Sequence, residues 1–150
     1  MKAISVSEAF SNAPPRSAAV LCVKGEKGRT DMLLTDWFTW LNIKRNPMIS
    51  FSLPRAATIG ARLKEGDSFA LAFPLLAEAK RYQQPVSADA DEQEPETMAL
   101  DGLRVPKGSE VLLKCTLAGA YNYPFKKVRI FNCNLEEALG DADRLQESPD

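Results

Sequence analysis

The chain has 150 residues, 45% of them hydrophobic and 26% charged, which is the range of a soluble globular protein and enough for one domain with a sizeable core. A net charge of −1 provides no global field for nucleic acid or anionic lipid. The complete absence of histidine excludes Ser-His and Cys-His catalysis, His-ligated zinc and imidazole acid/base chemistry. Chemistry at neutral pH is therefore expected to reside in a cofactor. No apolar run has the length to span a bilayer, and Met1–Val6 lacks the apolar centre of a signal peptide. Three widely spaced cysteines, Cys22, Cys115 and Cys133, do not make a disulfide framework or a metal-ligand set. A cytoplasmic protein is expected, with no membrane or nucleic-acid partner.

Residues 1–13 read as a flexible entry segment running into Pro14-Pro15. Ser17–Val23 reads as a strand, followed by a glycine turn at Lys24–Gly28 and a second extended segment over Arg29–Leu34. Leu34-Thr35-Asp36-Trp37-Phe38-Thr39-Trp40 is aromatic-rich and has no clear period. Met48–Leu53 alternates, with Ile49, Phe51 and Leu53 on one side and Ser50 and Ser52 on the other, as a half-buried strand requires. Pro54 ends that strand, Thr58 is placed to cap a short helix over 59–65, and Gly66 to stop it. Ser68–Phe73 alternates again, and Leu75–Tyr82 reads as a longer helix. Ser87–Glu96 is acidic and reads as a solvated loop, lacking the spacing of a calcium loop. Glu110–Leu117 and Val128–Leu135 read as strands, and 140–150 as a flexible tail. The sum, about six strands with one short and one longer helix in a single domain over 1–150, predicts a mainly β, barrel-like fold.

Two places could carry a ligand. After the 48–54 strand, Ser52, Arg55 and Thr58 surround a helix start, where free N–H groups, a guanidinium and hydroxyls suit a phosphate; ordinary capping explains the same residues. Leu34–Trp40 offers rings to stack and polar groups for a heterocycle edge; taken alone, a buried aromatic strand or a dimer contact is the commoner explanation. Cys115 and Cys133 fall on apolar strand faces and read as core residues. Lys126, Lys127 and Arg129 read as a charged strand edge or as contacts to an anionic ligand.

Taken in order, Asp31–Leu41, Asn46–Leu53, Arg55, Thr58 and Glu65–Leu71 resemble the flavin reductase-like FMN-binding split barrels, flavoredoxin among them. The resemblance runs over roughly residues 14–74 and more weakly to the final hairpin. Asn46-Pro47 stands where that family has Pro-Pro, Asp31 where it usually has Asn, and Lys127 where many members carry a histidine. The resemblance implies a Greek-key-like split β-barrel and a homodimer with FMN near its interface. It implies that Leu34, Thr35, Asp36 and Trp37 line the isoalloxazine and that Ser52, Leu53, Arg55 and Thr58 hold the phosphate. It also implies NADH or NADPH as hydride donor. No residue is singled out as catalytic. A flavin-binding module or electron carrier without turnover, or a dimeric split barrel without cofactor, are the alternatives.

Overall fold

The computed structural model describes residues 1–13, 19–89 and 96–140. The start of the first expected strand (Ser17, Ala18), the centre of the acidic stretch and the tail beyond Gly140 lie outside the described residues. The chain runs β1 (Lys2–Ile4), α1 (Val6–Asn12), β2 (Val20–Lys24), β3 (Thr30–Leu34), β4 (Trp37–Asn42), β5 (Met48–Pro54), α2 (Thr58–Ala61), β6 (Ser68–Phe73) and α3 (Leu76–Ala79). It continues through β7 (Val86–Ala88), β8 (Thr97–Leu100), β9 (Leu103–Pro106), β10 (Val111–Asn122) and β11 (Val128–Gly140). One sheet has the order β4-β5-β11-β10-β6-β2-β3-β7, with β1 added to β11, and β8–β9 form a separate hairpin. Every pairing is antiparallel. The fold is mainly β and is a split barrel.

The inward faces of β2, β3, β4, β5, β6, β10 and β11 enclose one core containing Leu21, Leu33, Phe38, Phe51, Leu71 and Phe131. Period-two alternation puts these residues on one side, and their burial is the main stabilising term. Phe51 and Phe131 stack across the β5–β11 pair, with centroids 4.9 Å apart and planes at 9°. The opposite face of β2, β3, β6 and β10 carries a second cluster, including Val20, Met32, Ala72 and Leu112, covered by Val105 of the β8–β9 hairpin and by Tyr82. There the buried Arg104 side chain donates to Thr97 Oγ1 from Nε at 3.1 Å and to the Thr97 carbonyl from Nη2 at 3.0 Å.

Several elements differ from the sequence expectation. Residues 1–13 are not a loose entry: Ser5 and Glu8 form a reciprocal capping box that starts α1, Ala9 is buried, and β1 pairs with β11. The aromatic stretch is strand β4, whose alternation is blurred because, among the described residues, it pairs only with β5 and carries an irregularity between Trp40 and Asn42. The longer helix over 75–82 is a single turn, α3, tightening into 3-10 geometry at Lys80–Tyr82. Its N-cap Leu75 supplies no side-chain hydrogen bond. Helix α2 is also one turn, and Ala57, not Thr58, is its N-cap.

Gly60 fixes how α2 seats on the barrel end. A Cβ there would lie 2.9 Å from Phe131 Cζ and 3.2 Å from Leu53 Cδ1, so only glycine lets the turn approach the core this closely. Gly60→Ala is expected to destabilise the chain by about 1–3 kcal/mol through overpacking, against a helix-propensity gain of at most about 1 kcal/mol. Urea midpoints of the two proteins measure this, and an unchanged or higher midpoint would refute the close approach.

Candidate functional site

The site is built where the barrel closes. β3 lies toward one end of the sheet order and β4 at the other, yet only Thr35 and Asp36 connect them. The Thr35 N–H donates to the Ala19 carbonyl at 2.8 Å, and the next N–H, that of Asp36, donates to the Ser52 carbonyl at 2.9 Å. Two successive amides thus continue the β2–β3 ladder on one side of the link and the β4–β5 ladder on the other. The Thr35 hydroxyl accepts from the Ala19 N–H at 3.4 Å, so its side chain is buried in the seam. Asp36 is exposed at the seam mouth, where partial burial pushes its carboxyl above the ordinary range.

Beside the seam, the outward faces of four strands align. One cross-strand row reads Trp37, Ser52, Ile130 and Tyr121, and the next reads Thr39, Ser50, Asn132 and Gly119. Side chains two apart on a strand share a face, so both rows belong to one surface. Its floor is small and polar at Ser50, Ser52 and Gly119. Trp37 and Tyr121 stand at its two sides, 40% and 50% exposed. Ser52 is fully buried, yet its Oγ has no hydrogen-bond partner. Buried hydroxyls are nearly always paired, and an orphan costs roughly 1–3 kcal/mol. It is the feature of this face that the described residues' own hydrogen bonds leave unaccounted for.

The sequence-derived residues divide clearly. Asp36, Trp37 and Ser52 come together, through the Asp36–Ser52 main-chain bond and the Trp37–Ser52 pairing. Leu34 does not join them, because its side chain packs against the second cluster. Leu53 points into the core and is fully buried, paired with Arg129 in the β5–β11 ladder, so it does not join them either. Arg55 is exposed beyond β5; its N–H donates to the Lys127 carbonyl at 3.0 Å and its Nη2 to the Tyr123 carbonyl at 3.2 Å. That ties it to the β10–β11 tip and leaves other guanidinium donors outward. Thr58 is exposed at the first position of α2. A four-residue turn aligns few peptide dipoles, so any anion here would depend on hydroxyls and Arg55 more than on a macrodipole.

Sequence reasoning missed Tyr121, Ile130 and Asn132. The alternation that puts Phe131 and Cys133 in the core already puts Ile130 and Asn132 on the opposite face, so that signal was present. Tyr121 fell in an expected connector because β10 runs on to Asn122, past irregularities after Lys114 and Leu117. The three cysteines are buried, and burial pushes their thiols far above the physiological range, as core residues require.

No family model and no curated protein matches the sequence. Solved structures match over nearly its whole length. The flavin reductase component of a bacterial two-component tryptophan halogenase, BorF, superposes with TM-score 0.70 at 18% identity, over 95% of this chain and 96% of that one. The styrene monooxygenase flavin reductase of Pseudomonas putida S12 gives 0.69 at 16%, over 93% and 87%. The NADH:FAD oxidoreductase SgcE6 of Streptomyces globisporus C-1027 also gives 0.69 at 16%, over 95% and 91%. The chain shares the fold of these flavin reductases. At these identities the likeness is one of fold; the site must be argued from its own residues.

Within this split barrel the orphan hydroxyl has a direct consequence. Ser52→Ala removes an unsatisfied buried group at little change in volume. It is expected to leave the ligand-free protein as stable as wild type or to stabilise it by about 1–3 kcal/mol. Chemical denaturation tests this; a loss of more than about 1 kcal/mol would show that the hydroxyl has a partner in the chain.

Proposed function

We propose that the surface around Ser52 binds a flavin through its FMN portion and that the protein is a flavin reductase-like oxidoreductase using NADH or NADPH. The observation that carries this reading is the buried, unpartnered Ser52 Oγ on a small-residue floor between Trp37 and Tyr121. A flat heterocycle fits a floor of Ser50, Ser52 and Gly119, where bulkier side chains would fill the space. The likeness of fold to flavin reductases supports the same ligand class.

In this reading Asp36, Trp37 and the seam main chain meet the ring, the Ser52 hydroxyl donates a hydrogen bond to an acceptor on the ligand, and Arg55 and Thr58 take the phosphate. Arg55 offers a fixed fork of donors and Thr58 a hydroxyl. Bound flavin would supply the redox chemistry, accepting hydride and passing electrons onward. The chain's residues orient the ligand and set its electrostatic surroundings. Trp37, Tyr121, Tyr123 and the 85% exposed Phe125 leave apolar area open around the site, which favours a homodimer with this face at its interface. A single domain over 1–150 and a cytoplasmic location complete the reading.

The purified protein, a particle of twice the 16.5 kDa chain mass on light scattering, is expected to be yellow or to become so with FMN. A titration without binding at tens of micromolar FMN would overturn the flavin reading. Arg55→Ala is expected to lose about 1.5–3 kcal/mol of FMN affinity, roughly ten- to a hundredfold; unchanged affinity would remove Arg55 from the site. Anaerobic stopped-flow mixing with NADH and NADPH should bleach the bound flavin. Persistent colour with both donors would favour an electron carrier.

A further inference from the structure

The flavin reading leaves unused a cleft of about 230 Å³ beneath the turn of the β8–β9 hairpin. Asp101 and Gly102 form that turn at positive φ, 46° and 85°, so Leu100 and Leu103 pair directly opposite each other. Both leucines pack toward the second apolar cluster and roof the cleft, and the small Ala70 of β6 lies in its floor. Lys114 of β10 holds the turn against the sheet through an ion pair with Asp101.

One wall of the cleft is polar. The β2–β6 register that pairs Cys22 with Ala70 carries Lys24 to the side of Ser68, and Ser68 pairs with Thr116 on β10. The Thr116 hydroxyl in turn donates to Glu136 Oε1 at 2.7 Å. The charges around the cleft are not equivalent. Lys114 and Asp101 satisfy each other, and Glu136 has the Thr116 hydroxyl. Lys24 makes no ion pair among the described residues. An apolar slot therefore has an uncompensated ammonium and a hydroxyl at one end and a carboxylate at the other. Its volume is below the roughly 300–1,000 Å³ that encloses a drug-sized ligand, which suits a single ring.

We propose that this cleft is a second ligand site and takes a small aromatic monocarboxylate. The carboxylate meets Lys24 and Ser68, and the ring lies between Ala70 and the Leu100–Leu103 roof. Glu136 repels a second carboxylate at the far end of the ring, so the site selects mono- over dicarboxylates. It is separate from the surface around Ser52: Ile130 of that surface and Glu136 of the cleft are roughly 20 Å apart at the rise of a strand. The inference therefore stands whether or not the chain binds a flavin.

Benzoate is the probe. Saturation-transfer NMR on the full chain is expected to show it bound with a dissociation constant on the order of 1 mM, the scale for one ring with one charged contact. Backbone amide shifts should fall at Ala70, Leu100 and Leu103. Lys24→Gln, an exposed substitution, is expected to weaken binding about tenfold, and Lys24→Arg to retain most of it. Terephthalate, with its second carboxylate across the ring, should bind about tenfold more weakly than benzoate. Absence of transfer at roughly 10 mM benzoate, unchanged affinity in Lys24→Gln, or equal binding of terephthalate would overturn the assignment. So would displacement of benzoate by FMN, or amide shifts at Trp37 and Tyr121 in place of the cleft, since both would put benzoate on the Ser52 surface.

Discussion

The fold depends on a two-residue link between β3 and β4 whose consecutive amides bond to the strands on either side. The Thr35 N–H reaches the Ala19 carbonyl beside β2, and the Asp36 N–H reaches the Ser52 carbonyl on β5. Successive residues of an extended chain point their amides in opposite directions, so a two-residue link can bond to both sheet ends at once. That forces the seam to be short and extended. A face anchored to such a seam is positioned by the same main chain that joins β3 to β4.

The same strands serve packing and the site on their two faces. On the inner face, Phe51 and Phe131 stack, and Gly60 lets α2 press against Phe131 and Leu53. On the outer face of those strands lie Ser50, Ser52, Ile130 and Asn132. Burial of large aromatic rings inside supplies the stability against which an orphan hydroxyl outside is tolerated. The two properties are linked by the pleat: a one-residue register shift would turn Phe51 outward and Ser52 inward together.

How much of this was legible in the sequence follows from the range of each signal. The alternation of Met48–Leu53 and Ser68–Phe73 is local, and those strands sit where their periods put them. The position of Ser52 on a polar strand face was legible too. That its hydroxyl is orphaned was not, because that depends on Trp37, Ile130 and Tyr121 from three other strands. Helix α1 was missed although Ser5 and Glu8 carry the capping-box spacing; the segment is short, and its burial comes through distant partners. Leu34 and Leu53 were read as lining the site from serial order alone, and serial order does not say which way a side chain points.

The absence of histidine constrains how such a face could handle protons. Among the described residues at the seam mouth, Asp36 is the carboxyl whose proton affinity the fold raises, and partial burial is the cause. Its folded-state value lies above its unfolded one, so the folded chain retains that proton to higher pH. Ionisation of Asp36 therefore costs stability as pH rises through that value. A ligand carrying positive charge or donating a hydrogen bond at the seam would favour the ionised form and offset this cost. Asp36 and Ser52 are thus two polar groups beside one seam whose surroundings differ: burial raises the proton affinity of the first, and the second has no hydrogen-bond partner.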